Sequence, residues 1–142
     1  MNILNMTIQD LDEIKDILAT DFDDFWNYNV FKSELENPNS NYIVAKQNGE
    51  ILGFAGIIDT YDQMEITNIV VRKDYRNQGI GNFLLRELIN FSKGKNVIYL
   101  EVNSKNTNAI KLYEKNGFKK CGLRKKYYNN TDDAILMNLI IN

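Results

Sequence analysis

Six consecutive residues, Arg76-Asn77-Gln78-Gly79-Ile80-Gly81, combine a cation with two closely spaced glycines. An apolar run, Ile66-Thr67-Asn68-Ile69-Val70-Val71, precedes them, and Ile80, Phe83, Leu84, Leu88 and Phe91 follow at helical spacing. A strand, a tight turn and the start of a helix therefore meet here. Such a junction presents N–H groups without intrahelical acceptors, including that of Asn82, and a partial positive charge, which suits a phosphate or pyrophosphate. An ordinary strand-to-helix turn is the alternative, because glycines are common at turns. Two other phosphate motifs are excluded. A P-loop needs Gly-Lys-Ser/Thr where this chain has Gly81-Asn82-Phe83, and a dinucleotide fingerprint needs a small third residue where it has Leu84.

Proton-transfer chemistry has few carriers. The chain has no histidine, so a Ser-His-Asp triad, a Cys-His pair and the usual zinc site are ruled out. Carboxylates, tyrosines, lysines or water must serve instead. Glu101 ends an apolar strand and shares a face with Val97 and Tyr99, opposite Leu100 and Val102. It is either a structural partner for a basic or backbone group or a base at a cleft, where low dielectric would push its pKa up. Tyr113 lies on a following helix beside Ala109, Ile110 and Leu112, either as a core aromatic or as a proton donor. Glu65 begins the strand before the glycine turn, fourteen residues ahead of Gly79.

The elements that must position these groups are legible along the chain. Residues 2–6 read as a strand. Thr7 caps a helix with Ile8, Leu11, Ile14, Ile17 and Leu18 on one face. Asp21 to Asn29 reads as an acidic, aromatic loop, and a short helix from Val30 to Glu36 ends before Pro38, the only proline. Strands Tyr42–Gln47 and Ile51–Ile58 flank Asn48-Gly49, a two-residue hairpin signal. A strand over Glu65–Val71, a helix over 79–93 and a strand over Val97–Val102 follow. Asn106 starts and caps a helix closed by Gly117, and two last strands lie near Phe118–Tyr128 and Ala134–Ile141. Hairpins join the early strands and helices separate the later ones. This predicts an α/β fold with a mixed sheet, parallel where a helix crosses over.

The whole chain, residues 1–142, reads as a single domain with a substantial core. Seventeen basic residues against nineteen acidic ones argue against a broad nucleic-acid surface. No apolar run approaches a membrane span, and the first residues lack a signal-peptide pattern. The one cysteine, Cys121, allows no internal disulfide and fits a reducing cytoplasm.

The order of elements and the hexapeptide together resemble the GNAT family of N-acetyltransferases, in which an Arg/Gln-x-x-Gly-x-Gly/Ala turn holds the pyrophosphate of acetyl-CoA. Arg76 to Gly81 match without a gap. Tyr99-Leu100-Glu101-Val102, Asn106, Asn108-Ala109, Leu112-Tyr113-Glu114 and Asn116-Gly117-Phe118 resemble the motif of the RimI branch and its protein N-terminal acetyltransferase relatives. So does the tail, Lys126-Tyr127-Tyr128 with Asp132-Asp133-Ala134 and Met137. One departure is Phe25-Trp26, where that branch usually carries Pro-Trp.

The resemblance implies a mostly antiparallel, twisted sheet of about seven strands with about four helices on it. It implies acetyl-CoA as acetyl donor and no metal. Arg76, Asn77, Gln78, Gly79, Ile80, Gly81 and Asn82 would hold the pyrophosphate. Ile69, Val70 and Val71 would splay from the next strand and pair with the pantetheine arm, an N–H near Val70 polarising the thioester carbonyl. Asn106 and Tyr113 would also touch the donor. Glu101 would be the base, and Tyr113 the acid that protonates the departing thiolate. Glu65 would be a second base, part of a water relay, or a recognition group for the amine. Tyr127 and Tyr128 would line a peptide groove opposite Phe25 and Trp26, with Asp21, Asp23 and Asp24 attracting a cationic amine. Solvated-loop and edge-strand roles for these same residues stay open. The basic run Lys119, Lys120, Arg124, Lys125 and Lys126 reads as edge protection or as a contact for the 3′-phosphate or RNA. The implied acceptor is a protein N-terminus, a small-subunit ribosomal protein beginning with alanine being the first candidate. A polyamine or aminoglycoside acetyltransferase and a non-catalytic acyl-CoA sensor are the alternatives.

Overall fold

The computed structural model describes residues 1–22, 27–128 and 131–141, with Tyr127 and Tyr128 as backbone only. The chain runs β1 (Asn2–Asn5), α1 (Ile8–Ile14), α2 (Tyr28–Glu36), β2 (Ser40–Gln47), β3 (Glu50–Asp59), β4 (Gln63–Val71), α3 (Ile80–Phe91), β5 (Val97–Asn103), α4 (Thr107–Lys115), β6 (Lys119–Tyr128) and β7 (Asp132–Ile140). The strands form one seven-stranded sheet in the order β1-β2-β3-β4-β5-β7-β6.

Local chemistry starts and stops these elements. Thr7 and Asp10 form a reciprocal capping box at α1: the Thr7 N–H donates to the Asp10 carboxylate at 2.8 Å, and the Asp10 N–H donates to the Thr7 hydroxyl at 3.2 Å. The helix is shorter than the apolar stripe predicts. It tightens into a 3-10 turn over Lys15–Ile17 and widens into a π turn over Leu18–Phe22. Asp21 and Phe22 are therefore helical rather than loop, and Leu18 and Phe22 are still buried. The second helix begins at Tyr28, two residues before its expected start, because the Asn27 side chain accepts the Val30 N–H at 3.0 Å. Asn48 and Gly49 carry φ of 53° and 79°, as a two-residue hairpin with both central residues left-handed requires.

Two apolar cores cover the sheet faces. Leu84, Leu85 and Leu88 of α3, with Tyr113 and Phe118, pack on Ile98, Leu100, Val102 and Met137. On the other face, Leu11, Ile14, Leu18, Phe22 and Phe31 pack on Tyr42, Val44, Phe54 and Val70.

Two details of the sheet shape the site. The first is a bulge in β4: Gly56 faces Asn68 and Ile57 faces Ile66, so Thr67 has no partner in β3. The second is the only parallel pairing among the described strands, between β4 and β5, which lasts just three residue pairs and ends at Glu65–Tyr99. Beyond it β4 pairs only with β3, while β5 pairs along its whole length with β7. Parallel pairing across a helical crossover thus holds for α3. The α4 crossover leads instead to β6, which lies beyond β7 at the sheet edge.

Candidate active site

The fork between β4 and β5 opens into a cavity of about 610 Å³. Its walls include Ile69, Val70 and Val71 of β4, Arg76, Asn77 and Gly79 of the turn, Ile80, Gly81 and Asn82 of α3, and Asn106 and Tyr113 at α4. Every residue that the sequence assigns to the donor, save Gln78, is on this wall. Tyr75, Asn108, Ala109, Lys111, Leu112 and Lys115 complete it. Of these, Asn108, Ala109 and Leu112 enter the sequence reading only as parts of the motif around Tyr113, and Tyr75, Lys111 and Lys115 not at all, although the four-residue spacing of Lys111 and Lys115 along α4 is a readable signal.

The turn has the backbone that its sequence demands. Asn77 and Gly79 have φ of 64° and 86°, and Gly79 is the N-cap of α3. Phe83 donates its N–H to the Gly79 carbonyl at 3.0 Å, so the N–H groups ahead of it form the open helix end. Asn82 is held from α4, its side-chain oxygen accepting from the Asn116 amide at 2.9 Å. Arg76 lines the cavity and also binds backbone. Its Nε donates to the Val71 carbonyl at 3.0 Å and its Nη2 to the Phe22 carbonyl at 2.8 Å. It braces the turn against β4 and the end of the first helical segment.

Strand alternation identifies which backbone groups face the fork. The Arg72 N–H donates to the Leu52 carbonyl at 2.7 Å, so residues 72 and 70 direct their backbone to β3. Ile69 and Val71 therefore face the fork, and the Val71 carbonyl meets the Arg76 side chain there rather than a strand. The N–H groups that face the fork are thus those of Ile69 and Val71, the neighbours of Val70.

Glu101 and Glu65 lie on the face opposite α3 and α4, one on each arm of the fork. Glu101 is not sunk in an apolar cleft. Its side chain is 24% exposed and meets the Arg124 guanidinium at 3.2 Å, a partner on β6 that spacing alone could not reveal. Glu65 carries the perturbed carboxyl. Burial of the group raises its pKa, the charge of Glu101 raises it further, and Arg124 opposes both. Its outer side is nonetheless open to solvent. Tyr113 is buried, with its ring edge-on to Phe118 at 5.8 Å. Asn106 caps α4 as its sequence predicts, accepting the Ala109 N–H at 3.2 Å. Phe25, Trp26, Asp23 and Asp24 lie outside the described residues, as do the side chains of Tyr127 and Tyr128. Asp21 is described, and it pairs with Arg72 at 3.3 Å.

A forked sheet, a slot for an extended thioester arm and an open helix end at its mouth together fit acetyl-CoA. Residues 11–118 match the model of the acetyltransferase (GNAT) family. The chain belongs to the GNAT family. The N-alpha-acetyltransferase RimI of Mycobacterium tuberculosis is 40% identical over 75% of this chain and 69% of its own. The [ribosomal protein bS18]-alanine N-acetyltransferase of Escherichia coli K12 is 37% identical over 82% of this chain and 81% of its own. The crystal structure of the ribosomal-protein-S18-alanine N-acetyltransferase from Escherichia coli superposes with a TM-score of 0.90 at 31% identity, covering 99% of this chain and 94% of that one. This GNAT chain is accordingly an acetyl-CoA-dependent N-acetyltransferase of the RimI-like kind.

Proposed function

We propose that the chain acetylates the α-amine of a protein N-terminus, with the alanine terminus of a small-subunit ribosomal protein as first candidate. The observation that carries this reading is the pair of carboxylates, Glu65 and Glu101, on the two arms of the fork where the β4–β5 pairing ends. The relatives named for ribosomal protein bS18 support the acceptor. A ribosomal acceptor places the reaction in the cytoplasm, and no helix among the described residues is long and apolar enough to cross a membrane.

Acetyl-CoA supplies an activated acyl group as a thioester. The backbone N–H groups of Ile80, Gly81 and Asn82 hold its pyrophosphate, and those of Ile69 and Val71 orient the acyl end and polarise its carbonyl. Glu101, acting through water, takes a proton from the attacking amine as the N–C bond forms. Tyr113 gives a proton to the sulfur as the C–S bond breaks. Glu65 attracts the incoming ammonium. The demand on the base is modest. Roughly a tenth of α-amines of pKa near 8 are neutral at about pH 7, against under about 1% of lysines.

The test compares an Ala-initiated peptide, the same peptide with a blocked terminus and a free lysine, and spermidine, at about pH 7.5. The free terminus is expected to turn over fastest. A faster lysine peptide or spermidine would replace the N-terminal reading. The change of Tyr127 and Tyr128 together to alanine is expected to raise KM for the peptide and to spare acetyl-CoA affinity.

A further inference from the structure

Asn68 is the one residue of β4 between Glu65 and the cavity whose polar groups the fold leaves without a well-formed hydrogen bond. Neither its Nδ2 nor its Oδ1 has a partner of good geometry, and both atoms are shielded, although the residue as a whole is only partly buried. An amide in that state costs stability, since its donors and acceptor are stripped of water without replacement.

The fold puts it there by specific means. The bulge at Thr67 shifts β4 by one residue, so Thr67 and Asn68 both face the α1 and α2 side, as do Val70 and, before the bulge, Glu65. Without it, strict alternation would point Asn68 at α3. Opposite Asn68 stands Gly56, and an added Cβ there would lie 2.2 Å from the Tyr42 ring. The glycine lets the ring cross the strand, so that the Tyr42 hydroxyl meets the Thr67 hydroxyl at 3.0 Å. Burial raises the Tyr42 pKa above the ordinary phenol value, so this hydroxyl keeps its proton. It also lies close enough to Asn68 for a loose side-chain hydrogen bond, but its well-formed one is to Thr67. Tyr42 and Thr67 thus satisfy each other, and Asn68 stands beside them with a donor and an acceptor that a peptide reaches once the groups shielding them move aside.

We propose that Asn68 binds the peptide backbone of the acceptor, its Nδ2 donating to a carbonyl and its Oδ1 accepting an N–H within the first two peptide groups behind the α-amine. This deepens the N-terminal reading and rests on it. The spacing suits it: Asn68 lies three residues along β4 from Glu65, or about 7–10 Å, while one residue of an extended peptide spans about 3.3–3.6 Å. An amide that both donates and accepts matches a peptide group, which does the same. A polyamine offers donors only and would leave Nδ2 unpaired. Asn68 would thus be a specificity residue for peptides over simple amines.

The experiment measures wild type and Asn68→Ala with an Ala-initiated peptide and with isopropylamine, which keeps the amine and methyl of alanine but has no peptide group. Acetyl-CoA affinity is measured by calorimetry, and Tm alongside. For the peptide, kcat/KM is expected to fall about tenfold or more, chiefly through KM. For isopropylamine it should be unchanged, as should acetyl-CoA affinity. Tm should hold within about 1–2 °C, because the change removes a shielded amide with no well-formed hydrogen bond. An unchanged peptide KM, an equal loss with both amines, weaker acetyl-CoA binding or a lowered Tm would each overturn the assignment, the last marking a purely structural role. A wild type that turns over spermidine but not the peptide overturns the N-terminal reading and this assignment together. A wild type active on the peptide with an unaffected variant overturns this assignment alone.

Discussion

Gly81 separates what the fold needs from what the donor needs. It is the second residue of α3 and lines the cavity proposed for the donor. A Cβ built there would lie 3.5 Å from a Leu112 methyl and 3.7 Å from a Val71 methyl, ordinary contact distances, and its backbone is not left-handed. Gly81→Ala should therefore stabilise the protein by about 0.5–1 kcal/mol through lost unfolded-state freedom. At about 2–4 °C per kcal/mol for a chain of this size, Tm should rise by about 1–4 °C. The family motif admits alanine at this position, so acetyl-CoA affinity should be retained. Gly81→Val adds two methyls about 1.5 Å further out, into the space between α3, β4 and α4. Its helix still forms, so Tm should stay near the wild-type value. Acetyl-CoA affinity should fall at least about tenfold, or about 1.4 kcal/mol. Calorimetry with acetyl-CoA and a thermal melt read both quantities on the same samples. A folded valine variant with unchanged affinity would refute the placement of the donor.

Glu101→Gln is expected to lower kcat on the order of a hundredfold with acetyl-CoA affinity intact; steady-state rates over about pH 6–9 check this, and a wild-type rate would move the base to Glu65. Glu65 has a raised pKa in the folded state, so it destabilises the fold once pH rises through that value and is neutral in effect below the unfolded pKa. Glu65→Gln should raise Tm at about pH 8 and change it little near pH 4, and an equal gain at both would contradict the burial and Glu101 repulsion invoked here. Burial alone would raise the Asp10 pKa, but Lys46 at 2.7 Å and the Thr7 cap hold it below the ordinary carboxylate value. Its stabilisation is thus present at neutral pH and lost as pH falls through the folded pKa. Asp10→Ala should cost about 1–2 kcal/mol at about pH 7 by chemical denaturation, with the difference fading towards about pH 2.

Features set by neighbours in the chain were legible in the sequence. The Thr7 and Asn106 caps, the Asn48-Gly49 hairpin and the turn into α3 depend on residues within four positions of one another. The part of the cavity wall built from β4, the turn and the start of α3 was legible for the same reason, because those segments are contiguous. What escaped depends on partners far along the chain. Arg124 meets Glu101 only because β7, the last strand, inserts between β5 and β6. The bulge at Thr67 is invisible in an apolar run, since register is a property of two strands. Alternation without it would place Asn68 on the wrong face. The breakdown of α1 into 3-10 and π turns also left no periodic trace, because Leu18 and Phe22 keep four-residue spacing throughout.

Arg76 has a mechanical consequence. Its guanidinium grips the carbonyls of Val71 and Phe22, forty-nine residues apart in the chain. One clasp on the protein surface thus ties the last residue of the forked strand to the last residue of the N-terminal helical segment. The two hydrogen bonds join these regions on that flank directly, beside the apolar core. If the turn seats the pyrophosphate as proposed, a substitution that loosens Leu18–Phe22 is expected to shorten the time the donor stays bound.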